Sequence, residues 1–569
     1  MALRRAVVAL VTCCLLVAAA PAARADDPAP PPADFTVAGA GFGHGVGMSQ
    51  WGAYGMAQAG FDAAAIVTHY YANTAVTPMT DNMETRVNLL FQASSAKVRS
   101  EALESGGGAI EVTLASGQTL AGPGDEFSFS PSDGQIAVTR MSGGVAGDLG
   151  ISPTVTVRWA GTRNPGAAAG GATLLDVAGP STSLDSPGHR YRYGSLEILP
   201  VSTGNGTRLN VVNLVRVHDE YLFGISEVSS SWPAAALQAQ VLAARSYALS
   251  KVKRGVRNAC SCHVDDGGGP YYDQTFTGWT KVSSAKGENW ADAVRATLAS
   301  DTTGLAITYN GEPISAFYCA SSGGNTRSSQ EVWGGTLPYA VSVPDPYSQN
   351  DANPYRAWNV TVSQGRMASL FGLGEVTKVE IAERSESGAL KAVTATGADG
   401  STVTKSGSSF SSALGLRSTY VLTINGAGGP AIPGAAVPAS PAAPAVTAPA
   451  ATTPAAPTPA VTAPASGPKV RPRVVSLTMA TAITARPGAH YRVAGVVRPA
   501  KSGLKVWRQV LTKGQWRTVQ RTRTNAKGHF LLRALQAPKS HATRTYRVLV
   551  VRKGVVVGVS PQFTVAARR

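Results

Sequence analysis

The sequence predicts an α+β body followed by a small all-β domain. Three observations carry that reading. From Asn82 to Val217 the chain alternates or runs apolar between Gly/Ser turns, as strands do. Two later stretches place apolar residues at helical spacing. Behind an uncharged Ala/Pro-rich tract, the sequence from Pro468 to Arg569 alternates again.

The elements follow in order. Met1 to Ala25 reads as an export signal: Arg4 and Arg5 lead, Ala6 to Ala20 are almost wholly apolar, and Ala23-Arg24-Ala25 offers a small-x-small cleavage pattern before Asp26-Asp27. That apolar run is too short to span a bilayer stably, so a secreted, extracellular protein is expected. Residues 26–34 are a spacer, and residues 35–424 have globular character. Strand runs include Arg86-Val87-Asn88-Leu89-Leu90-Phe91, Thr154 to Trp159 and Leu209 to Val215. Asp62 to Tyr71 is helical. Asp219 can cap a short helix through Tyr221, Leu222, Ile225 and Val228. A longer helix begins at Pro233, a residue suited to a first turn, with Leu237, Val241, Ala244 and Ala248 on one face. Residues 425–467 form an extended Ala/Pro-rich linker. Residues 468–569 are a β-sandwich with strands at Tyr491–Val497 and Thr545–Val551 and a turn at Asn525-Ala526-Lys527-Gly528.

Charge separates these parts. The net charge is +17, yet from Gly467 onward there are 22 Lys and Arg and no Asp or Glu. Without that tail and the three signal arginines, 26 basic residues stand against 34 acidic ones, so the body is mildly acidic. An intensely basic module points to an anionic partner. Its arginines are interleaved with aromatics at Tyr491-Arg492, Trp507-Arg508, Trp516-Arg517 and Tyr546-Arg547. DNA meets the charge condition, but an exported protein rarely meets DNA, so no nucleic-acid partner is expected.

Cys13 and Cys14 leave with the signal; Cys260, Cys262 and Cys319 remain. Outside the cell a disulfide is the default, and an odd count leaves one thiol or a metal ligand over. The expected bridge joins Cys319 to Cys260 or Cys262. Cys260-Ser261-Cys262-His263 also suggests zinc, but it lacks a complete four-ligand set. No cofactor is expected, with zinc at Cys260, Cys262 and His263 as the alternative.

The most distinctive block is Tyr221-Leu222-Phe223-Gly224-Ile225-Ser226-Glu227-Val228, followed by Trp232-Pro233 and a helix running through Gln238-Ala239-Gln240-Val241-Leu242-Ala243-Ala244-Arg245-Ser246-Tyr247-Ala248-Leu249. Four others accompany it: Gly41-Phe42-Gly43-His44-Gly45-Val46-Gly47-Met48-Ser49-Gln50-Trp51-Gly52-Ala53, Ala320-Ser321-Ser322-Gly323-Gly324-Asn325-Thr326, Val332-Trp333-Gly334-Gly335 with Val341-Ser342-Val343-Pro344-Asp345-Pro346-Tyr347, and Leu414-Gly415-Leu416-Arg417-Ser418. Together they resemble the SpoIID/LytB family. The resemblance implies a SpoIID-like catalytic core with residues 82–217 as an inserted β-rich subdomain, and the basic tail looks like a bacterial immunoglobulin-like module. Two departures stand out. The glycine-rich block, which usually comes after the others, comes first, and the usually acidic position after Trp232-Pro233 holds Ala234-Ala235.

The resemblance further implies a lytic transglycosylase that cuts peptidoglycan glycan strands with one essential glutamate, here Glu227. The residue type suits such chemistry, because a carboxyl of raised pKa can protonate the glycosidic oxygen and then, as carboxylate, take a proton from the sugar's 6-hydroxyl. Hydrolysis would normally need a second carboxylate, for which Asp265, Asp266, Asp273 and Asp345 are candidates. Glu227 as a mere helix cap or ion-pair partner is the structural alternative. Arg245 either contacts substrate or forms a buried ion pair, for which Glu227 is a candidate partner. His44, Ser49 and Gln50 either line the glycan groove or hold a turn, with Ser49 capping the next helix. Ser321, Ser322 and Asp345 join the substrate-binding candidates through their motif positions. The non-enzymatic alternative is an amidase enhancer that holds wall and amidase partner without cutting. The basic module is expected to bind anionic cell-wall polymers, unless it is an inert charged domain.

Overall fold

The computed structural model describes residues 31–160, 170–185 and 189–431 and, in interrupted stretches, 476–567. The expected signal segment and the linker beyond residue 431 lie outside the described residues. The chain divides into two compact units, Met1–Ala443 and Pro444–Arg569. No helix among the described residues is long and apolar enough to cross a membrane.

In the first unit, the strand Asp34–Gly39 turns Phe35 and Val37 into a core and Thr36 outward. It pairs antiparallel with both Trp358–Ser363 and Val421–Ile424. The two ends of the body therefore adjoin: Asn425 N–H donates to Thr36 O at 2.8 Å, and Thr36 N–H to Asn425 Oδ1 at 2.7 Å. Adjacent ends make a reordered chain tolerable. The glycine-rich block can thus open the chain and still lie against the Ser321–Thr326 segment.

Residues 84–216 are dominated by strands, as predicted. A seven-stranded sheet holds Glu84–Ala93 beside Gly206–Arg216, and a six-stranded sheet holds Ala96–Ala102 beside Thr173–Ala178. Their inward residues, among them Val98, Phe127, Val157 and Trp159, are fully buried and share one apolar core with the helix Ala234–Arg254. That helix is the central post of the body. It packs on the helices Gln50–Gln58, Ala63–Tyr70 and Gly287–Ala296 and on the strand Thr303–Tyr309. A helix enclosed on most sides must be apolar or small on most sides, and Ala239, Ala243, Ala244 and Ala248 are buried. Pro233 stands at its N-cap, and Lys251, Lys253 and Arg254 complement its C-terminal dipole. The helix predicted from Asp62 is present, and Asp62 Oδ1 caps it by accepting from Ala65 N–H at 2.9 Å.

The helix predicted from Asp219 to Val228 is corrected. One wide turn, Val217–Tyr221, leads into Leu222–Gly224, and the backbone is extended at Ile225, which bridges to Phe276. Asp219 is no cap: its carboxylate holds the Arg216 guanidinium at 3.0 and 2.7 Å and accepts from Glu220 N–H. Ser226 N–H donates to Thr275 O at 2.8 Å. This capture by the segment at residues 275–276 stops the helix and places Glu227 on a loop.

In the second unit the described elements are all strands. Ser476–Met479, His490–Arg498 and His529–Gln536 form one antiparallel sheet. In the other, Lys505–Thr512 lies between Gln515–Arg523 and Thr543–Arg552. Val506 is buried between the more exposed Lys505 and Trp507, and Val548, Leu549 and Val550 are buried on the neighbouring strand. The predicted turn is closed by Asn525 Oδ1, which accepts from Lys527 and His529 N–H.

Candidate functional site

The glycine-rich loop, the Glu227 loop, residues 267–275 and the strand Tyr318–Cys319 converge on one cleft of about 780 Å3. Gly41, Gly43, Gly45 and Gly47 all adopt positive φ, which glycine alone reaches without strain. At Gly47 a side chain would come within 2.0 Å of Phe317 O. The close approach lets Met48–Ser49 pair with Tyr318–Cys319 and Phe42 with Ser321.

Glu227 lines this cleft and also a second one of about 540 Å3, whose wall carries Ser226, Ser230, Thr277, Thr280 and Lys281. Its Oε1 accepts from Thr275 N–H at 2.6 Å and from Tyr318 OH at 3.0 Å. Tyr318 is held in turn: Gln274 Nε2 donates to its hydroxyl at 2.9 Å, and Gln274 Oε1 accepts from the buried Tyr221 OH at 2.8 Å. Burial raises the Glu227 carboxyl above the usual range, against the pull of these donors and of the nearby Lys281 charge. Burial likewise lowers the Lys281 ammonium to about 8, and Lys281 Nζ donates to Val228 O.

The other carboxyls differ. Asp273 also lines the cleft, but Tyr247 OH and Lys251 occupy its Oδ1, and Arg257 and Asp265 N–H its Oδ2. Although burial works to raise it, those donors and charges hold it below the usual range. Asp265 is fully buried and accepts from the N–H groups of Gly267, Tyr271, Tyr272 and Asp273. Burial pushes Asp266 up to about 6; its carboxylate accepts from Gly268 N–H. Asp345 is fully buried, bonded by Tyr70 OH at 2.8 Å and Ser322 OH at 2.6 Å.

The residues predicted to bind substrate therefore separate. His44 and Gln50 line the cleft with Glu227. His44 Nδ1 accepts from Val46 N–H, and its ring also bonds the backbone of Tyr318; burial lowers it to about 4, so it is neutral. It ties the glycine loop to the strand that carries Tyr318. Ser49, Ser321, Ser322 and Asp345 are corrected from substrate contacts to a buried network. Ser49 Oγ caps the helix Gln50–Gln58 through Gly52 N–H and also accepts from Ser322 N–H, while Ser321 Oγ accepts from Asn353. Arg245 is also corrected: it is fully buried, and its ion-pair partner is Asp81 at 2.8 Å, not Glu227. The expected Cys319 bridge is not formed. Cys260 and Cys262 pair with each other, and Cys319 is a free buried thiol in the strand beside Ser49. That bridge takes both sulfurs from the zinc alternative, and His263 Nδ1 instead accepts from Arg86 N–H. Among the described residues no group of three His, Cys, Asp or Glu side chains could hold a metal ion.

Sequence reading passes over Tyr318, Gln274, Thr275 and Lys281. None lies in the block around Glu227, and Tyr318 lies just before the Ala320–Thr326 motif; the one available signal is a run of polar and aromatic residues, Tyr271-Tyr272-Asp273-Gln274-Thr275, soon after the cysteines.

Residues 205–309 match the family model described as SpoIID, stage II sporulation protein. The chain is 28% identical to an amidase enhancer of Bacillus subtilis over a quarter of its own length and 16% of that protein's. It is 29% identical to stage II sporulation protein D of the same organism, over 23% of its own length and 39% of that protein's. An uncharacterized protein of Brachyspira hyodysenteriae is 34% identical over 26% of this chain and 37% of its own. The matched stretch thus spans well under half of each of these relatives.

Proposed function

We propose a function from the premise that this chain is a SpoIID/LytB-family protein: it works on the cell wall as a lytic transglycosylase of peptidoglycan glycan strands, with Glu227 as acid and then base. The observation that carries the reading is the contrast between the cleft's two carboxyls. Glu227 is held in the protonated direction, whereas Asp273 is ionised with every acceptor site taken. One proton donor without a second, mobile carboxylate suits chemistry that needs no activated water. Glu227 gives its proton to the glycosidic oxygen as the C1–O bond breaks. The sugar's 6-hydroxyl then closes on C1 and returns a proton to the carboxylate, which leaves an anhydro end. Mass spectrometry of glycan strands after incubation tests this: anhydro-ended fragments support it, and reducing ends would mean hydrolysis. The amidase-enhancer reading draws on the name of the Bacillus subtilis relative; it predicts no fragments and a gain in a partner amidase's rate.

Tyr318→Phe is expected to slow cleavage by about tenfold, the worth of one hydrogen bond to a charged group. The acid form is the active one, so the rate falls as pH rises through the Glu227 pKa. Tyr318 OH donates to the carboxylate and so pulls that pKa down. Its removal moves the alkaline limb of the pH–rate profile to higher pH; an unmoved limb would free Glu227 from Tyr318.

The protein is proposed to act outside the cell, with its basic C-terminal unit tethering it to anionic wall polymers. Exposed Lys505, Arg521 and Arg523 flank Trp507 on adjoining strands, with Arg521 5.1 Å from the Trp507 ring. Salt screens such contacts. Protein truncated after residue 431 should stay in solution with purified walls at low salt, where the full chain sediments and is released by salt. Equal sedimentation of both would remove the tether.

A further inference from the structure

Four aromatic rings are unusually exposed for their size: Tyr272 at 77%, Trp333 at 48%, Phe42 at 42% and Tyr271 at 39%. All four line the Glu227 cleft. Apolar rings gathered at one exposed place mark a binding surface.

The most exposed of them is also the most deliberately placed. Tyr272 has φ 48°, a left-handed backbone that a bulky residue adopts only when its surroundings impose it. The imposing group is Asp265. Its buried carboxylate gathers four backbone N–H groups, those of Gly267, Tyr271, Tyr272 and Asp273, at 2.8 to 3.2 Å. Gly267 itself turns at φ 87°. The far end of the loop is tied by Asp273 to Arg257, Lys251 and Tyr247. Arg257 lies 3.8 Å over the Tyr271 ring, and its N–H donates to Cys262 O beside the disulfide. A loop fixed at base and both ends, with one bare ring at its turn, is preorganised to receive a ligand.

The ligand's chemistry follows from the wall. Apart from Glu227 and the fully engaged Asp273, the lining carries no charge at neutral pH, since His44 is neutral. Flat apolar rings alternate with the amides of Gln50 and Gln274. Such a surface fits a neutral ring with an apolar C–H face and a polar rim, which describes a pyranose. We propose that residues 266–273 form a clamped sugar platform, on which Tyr272 stacks against a sugar ring of the strand while Trp333 and Phe42 offer further stacking faces in the same cleft. The platform rests on the glycan reading given above and adds the residues that grip the strand beyond Glu227.

The test is calorimetric binding of peptide-free glycan strands, in high salt to silence the basic tail, by full-length Glu227→Gln protein that cannot cut. Adding Tyr272→Ala should weaken binding at least tenfold, and Tyr272→Phe, which keeps the ring, should stay within about twofold. The thermal transition of each variant should match the parent. Equal affinity of the Tyr272→Ala protein and its parent would overturn the platform alone. No binding by the Glu227→Gln parent would overturn the glycan reading and the platform with it.

Discussion

Glu227→Gln should lower the rate of glycan cleavage by about 10³-fold, the usual worth of a positioned general acid, while leaving the fold at least as stable at neutral pH. The amide keeps an oxygen to accept from Thr275 N–H and Tyr318 OH, so the loop has no reason to move. What it lacks is the proton. The stability half follows from the sign of the pKa shift. Burial raises the folded carboxyl above its unfolded value, so Glu227 favours the fold only at low pH. That contribution is lost as pH rises from the unfolded pKa through the folded one. Glutamine never ionises and escapes the loss. The melting temperature of the variant minus that of the wild type should therefore be close to its minimum at acidic pH, grow across the carboxyl range, and level off above it. A flat difference would mean that the folded site does not disfavour the carboxylate. Retained cleavage would move the chemistry elsewhere, with Asp273 the first place to look.

That glutamate is legible in the sequence because it sits inside a long local block, and the helix behind it because Leu237, Val241, Ala244 and Ala248 keep one period. Local signals fare well in general: Asp62 caps the helix it precedes, and the alternating runs between residues 84 and 216 are strands. What fails is whatever depends on residues far apart in the chain. The helix through Ile225 gives way to a bridge with Phe276, some fifty residues on, which no local period encodes. The short Cys260–Cys262 bridge replaces the longer closure expected, because spacing cannot show that Cys319 is committed to the strand beside Ser49. Ser49, Ser321, Ser322 and Asp345 stand in motif blocks and so suggest substrate contacts. The structure buries them against one another, and their work is to hold the glycine loop that brings His44 and Gln50 to the cleft. A motif marks what the fold needs, and only geometry separates the residues that touch a ligand from those that place them.

Arg245 is the sharpest case of that distinction, and Arg245→Ala should cost about 3–5 kcal/mol of stability, as removal of one partner from a buried ion pair does. Both Arg245 and Asp81 are fully shielded from water, 2.8 Å apart, in a close contact that is not a straight hydrogen bond. Asp81 Oδ1 meets His218 Nδ1 at 2.5 Å, and the guanidinium also donates to Thr297 Oγ1 and Leu305 O. Burial lowers the Arg245 pKa to about 10 against the attraction of Asp81, so at neutral pH it remains a cation with a matched charge. The packing is tight enough that a side chain on Gly304 would come within 2.5 Å of both partners. Alanine would strand the Asp81 carboxylate in that space. Lysine would not rescue it, because one ammonium cannot reproduce the fork that reaches Asp81, Thr297, Leu305 and His218 at once. Replacing both partners by apolar residues should recover much of the loss, since the stranded charge is then gone as well. Arg245 joins the central helix to the turn holding His218 and to the strand Thr303–Tyr309. Its loss should thus appear as a lower denaturation midpoint, with an unchanged KM for glycan strands measured at a temperature where the variant is still folded. A raised KM in a variant of undiminished stability would return Arg245 to the substrate and require the cleft to reach the core.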